Sequence, residues 1–307
     1  MNEMNNIIYS IDIQRLPNLE KSRSILFSER EYLRQFFHWV GAENISSFCD
    51  FCCGSGYLAI KICQYFKNIK GVGIDKESEF IRYANDRSKN LGLFERLSFK
   101  TSDVSISIPL EGDSFDVCYS FAGLHIVKNY EKAVIEMKRL TKKGGSVVIF
   151  LPIDECPQND ETIDQPYLKE IQLLENELFK YHFTNLKLYT QNNGGISWKL
   201  TPKIMGKIGI KDIKIYGMFI PFNPENLSYN DYFEYLCHEY KMLSDMASYL
   251  YSRYYHDCIS YKGKFNKLII LYKKRKEWLA DAFINGQSLF NWKGAPLLVF
   301  RGLKGNN

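Results

Sequence analysis

The chain has 307 residues, 45% hydrophobic and 24% charged, with a formal net charge of +5 at pH 7. That length admits one decorated domain or two small ones, and the composition is that of a globular chain with an ample core. The mild charge does not demand a nucleic-acid partner, and eight cysteines, clustered rather than evenly framed, fit a reducing cytoplasm better than a secreted disulfide scaffold.

The first residues, MNEMNNIIYSIDIQ, have no basic stretch followed by a long apolar one, so no secretory signal is expected. Residues 28–40, SEREYLRQFFHWV, read as a capped helix. Ser28 stands at the N-cap with Glu31 three residues on, and Leu33, Phe36, Phe37 and Val40 share a face. Alternating units follow. SSFCDF is a short strand and Tyr57 to Phe66 a helix; KGVGI (70–74) is a second strand and Glu77 to Asn90 a second helix. Leu97 to Thr101 is a third strand, FDVCYSF (115–121) a fourth, and Tyr130 to Leu140 a helix. Gly144-Gly145 is expected to break the chain before SVVIFLP, an apolar run suited to a parallel strand buried on both faces. That run is far too short to span a bilayer. Strand–helix alternation of this kind predicts an α/β fold, a parallel sheet with right-handed crossovers and helices on both sides.

After Pro152 the rhythm changes. DECPQNDETID (154–164) is an acidic loop, and the PYLKEIQLLENELFKYHF stretch an amphipathic helix. TPKIMGKIGIKDIKIYGMF reads as a short helix, a stop at Gly209 and a strand. Residues 225–285 are mostly helical, with Phe233, Leu236, Tyr240, Leu243, Ala247, Leu250 and Tyr254 as a packing stripe. Lys273-Lys274-Arg275-Lys276 reads as a helix surface. APLLVFRGLKG closes the chain as a strand returning to the first sheet. The expected organisation is an N-terminal helical lid segment (1–44), a cofactor-binding core (45–221) with the acidic loop and a helix after strand five, a helical insertion capping the substrate (222–294), and a last core strand (295–307).

The chemistry concentrates in residues 50–56. A glycine turn between strand and helix lets backbone approach a ligand, and the following helix offers free N–H donors. An acid ending the second strand is placed to accept from a ribose diol. Gly54, Gly56 and Asp75 supply these parts. They also satisfy the dinucleotide pattern, with Ala59 in the third place. Asp50 ahead of the turn, Asp103 after the third strand, and the Phe-Asp-Val strand head separate the two readings. Cys49, Cys52 and Cys53 read as structural: no second CxxC or spaced histidine pair completes a metal site.

Taken in order, Asp50-Phe51-Cys52-Cys53-Gly54-Ser55-Gly56, Asp103 through Val117, Leu124-His125-Ile126-Val127 and Leu140-Thr141-Lys142-Lys143-Gly144-Gly145 resemble the class I S-adenosylmethionine-dependent methyltransferases of the small-molecule branch. The likeness covers roughly residues 45 to 152. It implies a Rossmann-like, seven-stranded, mostly parallel sheet with helices on both faces, plus a helical insertion in the C-terminal half. It also implies S-adenosylmethionine as cofactor and S-adenosylhomocysteine as product. By the same resemblance Asp50, Cys52, Gly54 and Gly56 would border the methionine end. Asp75, with Lys76 beside it, would hold the ribose; Asp103 and Val104 would meet the adenine, and Phe121 would flank the methyl group. His125 is the candidate general base. Cys52 departs from the family, which has its first glycine there.

The expected activity is methyl transfer to an N or O nucleophile of a small molecule or modified peptide, in the cytoplasm, with no metal, no membrane and no nucleic acid. RNA or protein methylation, and a non-catalytic protein keeping the fold, are the alternatives. The oligomeric state is not legible.

Overall fold

A computed structural model describes residues 27, 30–127, 129–152, 165–179, 199–222, 228–255, 259–287 and 293–305. The acidic loop at 154–164, Ser28 and the extreme N-terminus lie outside them. The described chain falls into two compact units. One comprises Met1–Cys156, Thr190–Ile220 and Ala295–Asn307; the other comprises Pro157–Tyr189 and Pro221–Gly294.

The first unit is built on β1 (Ser47–Phe51), β2 (Lys70–Asp75), β3 (Leu97–Thr101), β4 (Phe115–Phe121), β5 (Thr141–Pro152), β6 (Ile210–Phe222) and β7 (Lys293–Lys304). The strand order is β3-β2-β1-β4-β5-β7-β6. β1 to β5 run parallel, and β7 returns antiparallel to β5, with Val148 opposite Arg301. The sheet is Rossmann-like and mostly parallel, and the chain reverses its direction of travel between β1 and β4. Ligands bind outside the carboxyl ends of such sheets at that point.

Side chains alternate along each strand, so the sheet has two apolar faces. Phe48, Val117, Tyr119, Val148 and Phe150 pack on one side with α1 (Arg30–Val40), α2 (Tyr57–Tyr65) and α3 (Ser78–Asn90). Cys49, Phe51, Cys118, Val147 and Ile149 pack on the other with α4 (Tyr130–Leu140) and Met205 of α6 (Thr201–Lys207). The α1 helix, grouped by its position with an N-terminal lid, forms a layer on the sheet: Leu33, Phe36, Phe37 and Val40 are all buried there.

Gly144-Gly145 does not interrupt β5. The strand begins at Thr141, opposite Phe115, and the register slips before Ser146 pairs with Val117. Gly144 takes φ 74°, and a Cβ on Gly145 would lie 2.6 Å from the Asp116 carbonyl oxygen. The two glycines permit a bulge where a break was expected. Asp116 secures the amino end of the same strands, accepting from the backbone N–H and hydroxyl of both Ser46 and Ser47 and from Lys142 Nζ.

The second unit is helical: α5 (Leu168–Leu178), α7 (Tyr229–Leu250), a π turn (Tyr251–Tyr255) and α8 (Ile259–Ile284). Ile171 and Leu178 of α5 share its core with Tyr232, Leu236, Tyr240, Ala247, Leu268 and Tyr272, so α5 belongs with these helices. The stripe on α7 starts at Tyr232, and Phe233 is 38% exposed. Spacing of four from Tyr232 through Leu236 to Tyr240 is the truer helical face. Tyr254 is outside the described side chains.

Candidate functional site

β1 ends in a turn in which every second residue is left-handed. Cys52, Gly54 and Gly56 take φ of 58°, 53° and 74°. For the glycines this conformation is free, whereas for a residue with a Cβ it costs about 1–2 kcal/mol. Gly56 is held to glycine twice, since a Cβ there would lie 2.5 Å from the Phe99 ring. Gly56 caps α2 without a side-chain hydrogen bond, and the first turn of α2 carries no acid. Its N-terminal N–H groups therefore face no competing carboxylate of their own helix, which suits an anionic group such as an amino-acid carboxylate.

Asp75, ending β2, ties the turn together. Its Oδ2 accepts from the Gly54 N–H at 2.9 Å and its Oδ1 from the Glu77 N–H at 3.1 Å. The Cys53 N–H donates to the Ile74 carbonyl at 3.0 Å and the Ser102 N–H to the Asp75 carbonyl at 2.9 Å. The glycine turn, the end of β2 and the start of the loop after β3 thus form one hydrogen-bonded edge.

Cys52 marks the centre of that edge. Burial pushes its thiol well up, and the Asp75, Asp50 and Asp103 carboxylates push it further, against the opposing pull of Lys76. Four residues expected at the site from the sequence therefore act electrostatically on Cys52. Three carboxylates against one ammonium make the edge electronegative, which favours a cationic ligand such as a sulfonium and opposes a pyrophosphate. A raised thiol pKa leaves Cys52 protonated and a poor nucleophile.

The remaining residues distribute as follows. Asp50 is buried beside Tyr119, its register partner on β4; burial first, then the Asp50 carboxylate, push the Tyr119 phenol well up. Asp103 is exposed, and its Oδ1 accepts from the Ser105 N–H and hydroxyl at 2.8 and 2.7 Å. It caps its own loop with one carboxylate oxygen. Lys76 is exposed and Val104 buried. Phe121 is half-buried and packs with Phe27, Phe36 and Phe150, ring centroids 5.1–5.7 Å apart. His125 is half-buried on the 3-10 turn Leu124–Ile126.

Sequence reasoning missed Gly123. A Cβ there would lie 2.4 Å from the Cys52 Cβ and 3.3 Å from its carbonyl oxygen. The side chain that departs from the glycine pattern at position 52 is accommodated by a missing side chain at 123. The available signal was weak: a glycine two residues past the end of β4, beside Ala122, which takes φ 49°.

Residues 43–195 match a protein family described as a methyltransferase domain. A demethylmenaquinone methyltransferase of Bacteroides fragilis is 21% identical over 193 residues, covering 61% of this chain and 76% of that protein. The sterol 4-C-methyltransferase of Caenorhabditis elegans is 28% identical over 109 residues, covering 36% of this chain and 31% of that protein. Among solved structures, phosphoethanolamine N-methyltransferase 2 of Haemonchus contortus, in complex with S-adenosyl-L-methionine, aligns with a TM-score of 0.46 and 16% identity, over 85% of this chain and 49% of that one. Among the described residues no helix is long and apolar enough to cross a membrane.

Proposed function

Since this chain belongs to the class I S-adenosylmethionine-dependent methyltransferases, we propose that it methylates an N or O nucleophile of a small molecule or modified peptide, with the edge around Cys52 as its cofactor cradle. The observation that carries this reading is the Asp75 carboxylate, which joins the glycine turn to the start of α3 and, like Asp50, Asp103 and Lys76, acts on Cys52.

Bound in the cradle, S-adenosylmethionine supplies a methyl group already activated on sulfur. The chain's own share is positioning. The uncapped N-terminus of α2 takes the methionine carboxylate, Asp50 lies toward the amino end, and Asp75 accepts from the ribose hydroxyls. Asp103 keeps one carboxylate oxygen for the adenine amino group, with Val104 behind it. Displacement at carbon asks for in-line geometry more than acid–base help. A base is required only where the nucleophile arrives protonated, and His125 is the candidate for that task. The quinone and sterol acceptors in the relatives' names support a small-molecule acceptor over RNA.

The test is transfer of a tritiated methyl group from S-adenosylmethionine into a fractionated cell extract. Label in the small-molecule fraction is expected. Label confined to RNA or protein would replace the acceptor assignment, and no incorporation with intact cofactor binding would favour a non-catalytic role.

A further inference from the structure

A hydroxyl in the sheet core stands open beside the cofactor edge. Tyr119 on β4 is fully buried. Among the described residues its hydroxyl makes no hydrogen bond of ordinary geometry, and the carboxylate placed to become its acceptor is Asp50. A buried hydroxyl left unpaired costs about 1–3 kcal/mol, so its surroundings are expected to supply an acceptor. The ring is held where it is: Phe36 meets it edge-on with centroids 5.5 Å apart, and Phe48 lies against it at 5.8 Å.

Strand register identifies that acceptor independently. Tyr119 pairs with Asp50 on β1, as Val117 does with Phe48, so Asp50 and Tyr119 point to the face that carries Phe48 and Val117. Asp50 is 3% exposed there. Its other register partner, Gly73 on β2, has no side chain, and a Cβ at Gly73 would lie 2.4 Å from the Phe99 ring and 3.0 Å from Cys53 Sγ. Of the two residues flanking Asp50 in the sheet, Tyr119 is thus the one with a side-chain donor. Burial and the Asp50 carboxylate both keep the phenol protonated, so it serves as a donor and not as a competing anion.

We propose that Tyr119 is a positioning residue for the cofactor's α-ammonium group: its hydroxyl donates to one oxygen of the Asp50 carboxylate and leaves the other for the ammonium. An ionised carboxylate accepts at both oxygens, and hydrogen bonds of this kind are often long in a free enzyme and tighten in its complex. Tyr119 acts through Asp50 and not by a contact of its own. The inference rests on the proposed cofactor cradle, with Asp50 toward the amino end, and adds to it a residue of β4 that lies outside the glycine turn.

The test is calorimetric titration of the full chain with S-adenosylhomocysteine and with its deamino analogue, which keeps the carboxylate and lacks only the amino group. Wild type should prefer S-adenosylhomocysteine by at least about tenfold, as a charge-assisted hydrogen bond requires. Tyr119→Phe removes the hydroxyl and keeps the ring. It should narrow that preference about fivefold while binding the deamino analogue to within about twofold of wild type. Added to Asp50→Asn, the same change should narrow the preference no further; a further narrowing there would show that Tyr119 does not act through Asp50. An unchanged preference in Tyr119→Phe would overturn the proposal. So would equal weakening of both ligands, or a Tyr119→Phe protein that does not fold, because the hydroxyl would then serve the fold alone. Wild type that binds both ligands equally would detach Asp50 and Tyr119 from the ammonium while leaving the cofactor class standing. Binding of neither ligand would overturn the cradle itself.

Discussion

Gly123→Ala isolates the contact that lets Cys52 occupy a glycine position. Gly123 has φ −118° and ψ −38°, a conformation alanine adopts freely, so any cost is steric rather than backbone strain. The new Cβ would lie 2.4 Å from the Cys52 Cβ and 3.4 Å from its Sγ, against an ordinary carbon–carbon contact of about 3.5–4.0 Å. Neither Cβ can rotate away, so the turn itself must shift, at a cost of about 1–3 kcal/mol. In Cys52→Gly both clashing atoms are gone and only the carbonyl contact at 3.3 Å remains. That single change trades relief of the left-handed conformation against the wider freedom of glycine in the unfolded chain, and should fall within about 1 kcal/mol of wild type. The double variant should then recover most of what Gly123→Ala loses. Urea unfolding of the four proteins measures the coupling, and S-adenosylhomocysteine affinity should follow the same order if the same turn is the proposed cofactor cradle. If Gly123→Ala cost the same in both backgrounds, to within about 0.5 kcal/mol, the compensation argument would fail.

Other outcomes can be stated as directly. Asp75→Ala should lower the melting temperature, because the Gly54 and Glu77 N–H groups lose their acceptor, and should remove the stabilisation by S-adenosylmethionine, which for wild type reaches about 2.7 kcal/mol at a hundred times the dissociation constant; an unchanged shift would remove Asp75 from the cofactor site. Gly56→Ala combines a left-handed backbone with a Cβ 2.5 Å from the Phe99 ring, and denaturant unfolding should show a loss of about 2–4 kcal/mol. Burial raises the Asp116 carboxyl, but Lys142 and the Ser46 and Ser47 donors outweigh it and hold the group well below the usual carboxylate range. Its contribution is therefore complete above the unfolded value of about 4 and is lost as pH falls through the depressed folded value. Asp116→Asn should be less stable than wild type at neutral pH, and the gap in urea midpoints should narrow on acidification below about pH 4; a gap independent of pH would refute the assignment.

Much of the core was legible because its signals are local. The alternation of apolar strands and amphipathic helices from Phe48 to Leu151 fixes a parallel sheet, and Asp50, Gly54, Gly56 and Asp75 sit at element ends that the alternation itself locates. What escaped depended on distant contacts. Gly144-Gly145 looks like a break until Asp116 and the register of β4 and β5 show a bulge. Gly123 carries only a weak signal until the chain brings it against Cys52. Arg275, set among lysines, reads as surface, and only Gln165, 110 residues away in the chain, reveals that it turns inward. Tyr232 and Phe233 differ by one position, and helical periodicity over a short aromatic stretch does not separate them.

The edge around Asp75 and Cys52 is proposed to bind a sulfonium cofactor rather than a dinucleotide. Calorimetric titration of the purified chain with S-adenosylhomocysteine, S-adenosylmethionine and NAD tests this most directly. Both adenosyl compounds should bind saturably at one site, and NAD should give no heat. Binding of NAD without either adenosyl compound would contradict this expectation.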